Sequence, residues 1–142
     1  MKILFLVHVE EMFRDFFPDK MYVNRLIRAM NIYDRVIILD SEVEAPSIIH
    51  ELTAGYCCFD KWTWGWGYEP DMFDDEENEW IIPTGSPHEW TWVHPEVRDA
   101  EAWNQHEILV GGGYRTECLQ DWLDVLNHVG IVHRLVDGYV YG

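Results

Sequence analysis

Apolar positions along this chain follow two rhythms. Unbroken runs, KILFLVHV over residues 2–9, RVIILD over 35–40 and ILV over 108–110, show no polar alternation, the pattern of strands buried on both faces. Helical spacing appears between and after them. Tyr22 (or Val23), Leu26, Ile27 and Met30 form one stripe behind Asp19 as the cap. Leu119, Trp122, Leu123, Leu126 and Val129 fall at i, i+3, i+4, i+7 and i+10, and Gly130 stands where a helix takes a left-handed residue to stop. Ile131 to Val136 reads as a further strand ended by Asp137-Gly138, so residues 106–138 make a βαβ unit with a right-handed crossover.

The remaining segments carry weaker signals. Residues 12–18 read as an aromatic loop with Phe13, Phe16 and Phe17, closed by Pro18. Pro46 fits the first position of a short helix with Ile48, Ile49 and Leu52 inward. HEWTWVH over 88–94 alternates as a strand does, and Pro95 opens a helix to about residue 104. Between Gly55 and Pro87 no period is sustained, and such a stretch in a compact domain reads as a lid, binding loop or flexible segment. The order predicts a doubly wound α/β fold, a three-layer sandwich with a mainly parallel sheet. It forms a single domain over residues 1–142 with a tryptophan-rich, acidic insertion at about 55–87.

Composition narrows the partners. A net charge of −16, from 10 basic and 26 acidic residues, argues against nucleic-acid binding through phosphates. The apolar runs are too short to span a bilayer, and Ile3–Val9 lacks a small-residue cleavage site before Glu10, Glu11 and Arg14, so it reads as a core strand rather than a signal peptide. Hydrophobic residues at 48% and aromatics at 15% exclude a disordered chain and leave material for a core and a pocket. Three cysteines, Cys57, Cys58 and Cys118, do not pair evenly, which favours a reduced, cytoplasmic setting. The expected partner is a small molecule, without a cofactor; self-association into a homo-oligomer stays open.

Candidate chemistry centres on Cys118, placed just past a glycine turn at a helix N-terminus, where backbone N–H groups and the dipole favour an anion. Glu117 beside it opposes a second negative charge, and an inert buried cysteine is the plain alternative. Gly111, Gly112 and Gly113 allow a tight turn with close backbone approach to a ligand, yet they match neither GxGxxG nor a P-loop. His8, Glu10 and His94 are expected at the carboxyl ends of strands, the edge where such sheets hold ligands, and could join Cys118 as base and orienting acid. The same residues lack HxH or HxxxH spacing, so no metal is assigned. The acidic run from Asp71 to Glu79 reads as a solvated face without EF-hand spacing. The alternation Trp62, Trp64, Trp66, Tyr68 is either an exposed stacking surface or a hairpin packed on the core. The ligand-facing set is Gly112, Gly113, Tyr114 and Arg115 with Trp64, Trp66 and Trp92.

ILVGGGYRTECLQDWLDVLNHVGIVHRLVDG resembles the isochorismatase-like cysteine hydrolases. In that family a buried strand, a glycine and a polar turn lead to Cys and an apolar residue, then a helix, a Gly, a strand and an Asp. Cys118-Leu119, Gly130 and Asp137 follow that spacing, and FLVHVEEMF lies over the strand-one motif. The resemblance covers roughly the first forty and last fifty-five residues. It implies hydrolysis of a small amide- or imidate-like substrate with Cys118 as nucleophile and backbone N–H groups near 114–118 as the oxyanion site. His8 stands where the family has its catalytic aspartate, and the family lysine falls near His94, so His8 or His94 is left to move the proton. The alternative is a non-catalytic domain that kept the fold and binds a small molecule or protein.

Overall fold

The computed structural model describes residues 1–40, 60–63, 79–81, 91–93 and 95–142. Its centre is strand β1, Lys2–Val7, whose last five residues are buried. β1 pairs in parallel with β2, Arg35–Asp40, on one side and with β6, Glu107–Gly112, on the other. β3, Asp60–Thr63, adds outside β2, and β7, Arg134–Val140, outside β6, giving the all-parallel order β3-β2-β1-β6-β7. β1 thus lies between β2 and β6, with Phe5 opposite Ile37 on one side and Val110 on the other.

Alternate residues of the unbroken apolar runs feed two cores. Ile3, Phe5, Val7, Ile37, Leu39, Ile108 and Val110 meet Leu119, Trp122, Val125 and Leu126 of the helix Cys118–Val129. That helix is α3, after α1 (Tyr22–Ile32) and the short α2 (Ala100–Trp103). Leu4, Leu6, Val36, Ile38 and Leu109 meet Tyr22, Leu26 and Ala29 of α1. Double-sided burial therefore explains the absence of polar alternation in these strands. Phe5 is packed by Trp62, Trp103 and Trp122, with ring centroids 5.7, 5.5 and 5.2 Å away.

Polar ties fix the helices to the sheet. The Tyr22 hydroxyl donates to Tyr139 O at 2.5 Å and Arg25 Nε to Gly138 O at 3.0 Å, joining α1 to β7. Arg35 donates to Asp60 at 2.6 Å and Glu96 at 3.1 Å, with its guanidinium over the Trp103 ring, joining β2, β3 and the 95–103 segment. α3 stops at Gly130, whose φ of +86° is the left-handed conformation expected there.

Several expectations are corrected. Residues 11–16 form a 3-10 helix rather than a loop, with Phe13 N–H donating back to Glu10 O at 3.0 Å. Asp60–Thr63, expected within the insertion, is the parallel edge strand of the main sheet, and Trp62 is in its core, 6% exposed. The strand expected over 88–94 is Thr91–Val93 (β5), and it pairs antiparallel with Glu79–Ile81 (β4) in a separate two-stranded sheet, Trp92 opposite Trp80. The last strand begins at Arg134 rather than Ile131, the N–H groups of Ile131 and Val132 being held by Leu126 O and the Asn104 side chain, and it runs through Asp137-Gly138 to Val140 with a register shift against β6 between Val110 and Gly112. The helix expected after Pro46 lies outside the described residues. Among the described residues no helix is long and apolar enough to cross a membrane.

Candidate functional site

The carboxyl ends of β1 and β6 lie side by side, and the residues following each build the site. After Val7 the chain enters the left-handed region at His8, φ +48°, a conformation that a residue with a β-carbon rarely holds without support. Support comes from both peptide groups. His8 N–H donates to Leu39 O at 2.8 Å, and His8 O accepts from the Tyr141 hydroxyl at 2.5 Å. The His8 ring, 3% exposed, is stacked on Phe13 with 6.0 Å between centroids. Two residues on, Glu10 is 1% exposed and precedes the 3-10 helix.

On the neighbouring strand the glycines serve close packing. Gly111 and Gly112 belong to β6 rather than to the turn after it. Gly112 has φ +94°, and a Cβ there would lie 2.2 Å from Val7 O. Gly113 donates its N–H to Val7 O at 2.9 Å, and its missing side chain leaves room filled by Tyr141. The space that glycine provides is occupied by β1 and Tyr141.

From Tyr114 the chain turns into α3; the Gly113–Tyr114 peptide is cis. Arg115 N–H donates to Tyr141 O at 3.0 Å, and the N–H groups of Glu117 and Leu119 donate to Tyr114 O at 3.0 and 3.2 Å. Cys118 is the first residue of α3 and is half-buried, its thiol free. Tyr114 reaches the surface, edge-on to exposed Phe16 at 5.6 Å. Arg115 also reaches it, 3.9 Å from Asp137, an exposed pairing of small energetic weight.

The electrostatics of Cys118 run opposite to the expectation for a helix N-terminus. Burial pushes its thiol up to about 12, and the carboxylates of Asp121, Glu117 and Glu10 add to the rise. The dipole of α3 favours the thiolate, but by a small margin at a helix end that carries this much negative charge. At neutral pH the resting group is a neutral thiol.

The structure thus brings Cys118, Glu10 and the turn at Gly113–Arg115 to one edge, with His8 on the same strand end. His94, Trp64 and Trp66 lie outside the described residues. Trp92 is described in its backbone alone, in β5 of the small sheet. Two residues of the site were not singled out from sequence. Asp121, 3% exposed, is one helical turn past Cys118, and a carboxylate at that spacing beside an apolar stripe was a readable signal. Tyr141, 2% exposed, gave none. A concavity of about 340 Å³ bounded by Met1, Ile3, Arg35, Trp103 and His106 sits at the amino ends of β1 and β2, opposite to the edge where parallel sheets hold ligands. Among the described residues no group of three or more His, Cys, Asp or Glu side chains is arranged to hold a metal ion. Compared with protein-family models, curated proteins and solved structures, the chain matches none.

Proposed function

We propose that this chain is a divergent isochorismatase-like cysteine hydrolase of small amide- or imidate-like substrates, on a doubly wound three-layer sandwich. The observation that supports it is the meeting of Cys118, first residue of a helix at the carboxyl edge of the sheet, with buried Glu10 from the end of β1, whose charge reaches the thiol. A thiol held near 12 cannot wait as a thiolate, so its proton leaves as sulfur attacks the substrate carbon. Glu10 is the acceptor in this scheme. The amide π pair moves onto oxygen, and the N–H groups of Thr116 and Cys118 hold that charge, since those of Arg115 and Glu117 already serve carbonyls. Collapse expels the amine with the proton from Glu10, and water then releases the acid from the thioester. A cytoplasmic setting is proposed with this reading.

A second reading, a small-molecule or protein-binding domain without turnover, is favoured by one observation. Burial, and after it the carboxylates of Asp121, Glu117 and Glu10, raise the thiol, where an activated nucleophile needs the reverse. The two are separated by screening primary amides and imidates for release of ammonia or amine, with Cys118→Ala and Glu10→Gln beside the wild type. The hydrolase predicts turnover that Cys118→Ala abolishes and Glu10→Gln lowers by about 10²-fold or more. Ligand binding that survives Cys118→Ala, with no product from any substrate, would establish the binder.

A further inference from the structure

The candidate site is assembled from two segments distant in sequence, the end of β1 at His8–Glu10 and the Gly113–Cys118 turn, and one side chain touches both. The Tyr141 hydroxyl donates to His8 O at 2.5 Å. Its N–H donates to Gly112 O at 3.0 Å, and its carbonyl accepts from Arg115 N–H at 3.0 Å. Its ring fills the space beside Gly113, where an added Cβ would come within 2.8 Å of Cδ2 and Cε2. Phe17 at 5.1 Å and Tyr22 at 6.0 Å hold the ring edge-on.

We infer that Tyr141 is a positioning residue of the Cys118 site, holding the end of β1 and the turn into α3 in one register. The inference rests on the reading of Cys118 and Glu10 given above and adds the device that sets their separation. His8 has φ +48°, and its carbonyl faces the Tyr141 hydroxyl. The orientation of that peptide sets the direction in which the chain leaves toward Glu10, two residues on. The main-chain bonds of Tyr141 fix Gly112 and Arg115, on either side of the step into the turn that carries Cys118. Burial, with Tyr22, Cys118 and Glu10 close by, holds the phenol above its ordinary range, so the hydroxyl stays a donor wherever the thiol is titrated.

The test uses Tyr141→Phe, which keeps the ring and removes the donor. The readout is the midpoint of the pH–rate profile for alkylation of Cys118 by iodoacetamide in the full chain, followed by mass spectrometry. With Glu10 released from its place beside the thiol, the midpoint should fall by about 0.5 pH unit or more, since a carboxylate moved away no longer disfavours the thiolate. Glu10→Gln should lower it as well. The double variant should match the larger single shift rather than the sum, because both changes act through the charge of one carboxylate. A merely structural tyrosine would lower the melting temperature and leave the midpoint in place, which would overturn the inference, as would fully additive shifts. A Cys118 silent to alkylation in the native wild type at every pH would defeat the hydrolase reading and this inference together. A reactive Cys118 with an unmoved midpoint defeats this one alone.

Discussion

At the scale of single residues, Cys118 and two glycines give the sharpest expectations. The thiol is a neutral acid whose folded value is raised by burial and by Asp121, Glu117 and Glu10. The stability it contributes is therefore complete below its unfolded value of about 8.5 and is lost as pH climbs toward about 12. Wild type should lose stability through that window more steeply than Cys118→Ala, by at most about 1.4 kcal/mol per pH unit. Urea unfolding at pH 8, 9.5 and 11 measures the difference, and equal slopes would mean that the thiol is not raised. Tyr33, pushed up to about 12 chiefly by burial, contributes the same sign to both proteins and cancels in the comparison. Gly112 and Gly130 both have positive φ, yet they differ in their surroundings. At Gly112 an alanine Cβ would meet Val7 O at 2.2 Å and Val7 N at 2.4 Å, whereas at Gly130 nothing lies within 4 Å. Gly130→Ala should cost only the left-handed strain, about 1–2 kcal/mol. Gly112→Ala adds a clash with central-strand backbone and should cost about 3 kcal/mol or more. Denaturant midpoints of the two variants decide it.

At the scale of elements, legibility in the sequence follows how many neighbours an element needs in order to declare itself. β1, β2 and β6 are buried on both faces, so each shows as an unbroken apolar run wherever its partners lie. α3 carries its own stripe and its own stop at Gly130, both readable without tertiary information. β3 has four residues, and the alternation around Trp62 fits a hairpin as well as an edge strand. Its parallel pairing with β2, Leu39 opposite Trp62, places it in the main sheet, and the contacts of Trp62 with Phe5 and Trp103 and the Arg35–Asp60 bond hold it there. The candidate site divides in the same way. Cys118 at a helix start was visible from local spacing, and the carboxylates that raise its thiol were visible as residues without their convergence being so. The Tyr141–His8 bond spans 133 positions and leaves no trace in any window of sequence. Trp62→Ala checks the corrected element directly. If β3 is part of the core, removing an indole that is 6% exposed should cost about 3–5 kcal/mol and lower the denaturant midpoint without changing the far-ultraviolet signal of the folded state. A cost under about 0.5 kcal/mol would fit a surface residue and remove β3 from the sheet's core.

At the scale of the whole molecule, the imbalance of charge sets the expectation. The chain carries 26 acidic against 10 basic residues. Arg25, Arg35, Arg115 and Arg134 each already face a carboxylate, Asp19, Asp60 with Glu96, Asp137 and Glu107 respectively. These pairs are exposed or half-exposed and contribute little individually, so they do not offset the excess negative charge of the folded state. Self-repulsion at a net charge of −16 should destabilise the compact chain, and should do so most when screening is weak. Raising NaCl from about 10 mM to 150 mM shortens the screening length from about 30 Å to 8 Å, which relieves repulsion across the molecule more than it weakens contacts at about 3 Å. The melting temperature at pH 7.5 should therefore rise with salt, by about 3–6 °C over that range, corresponding to about 1 kcal/mol or somewhat more. Were the ion pairs the larger contribution, salt would lower it instead. Mild acidification should act in the direction of salt, because bound protons reduce the net negative charge. The Arg25–Asp19 and Arg134–Glu107 pairs survive that change, as each arginine holds its partner's carboxyl below the ordinary range. Melting curves at pH 7.5 and 6.0, each at both salt concentrations, separate the two contributions: the gain from salt should shrink at the lower pH, and a gain that grew there would show that repulsion among carboxylates is not what salt relieves.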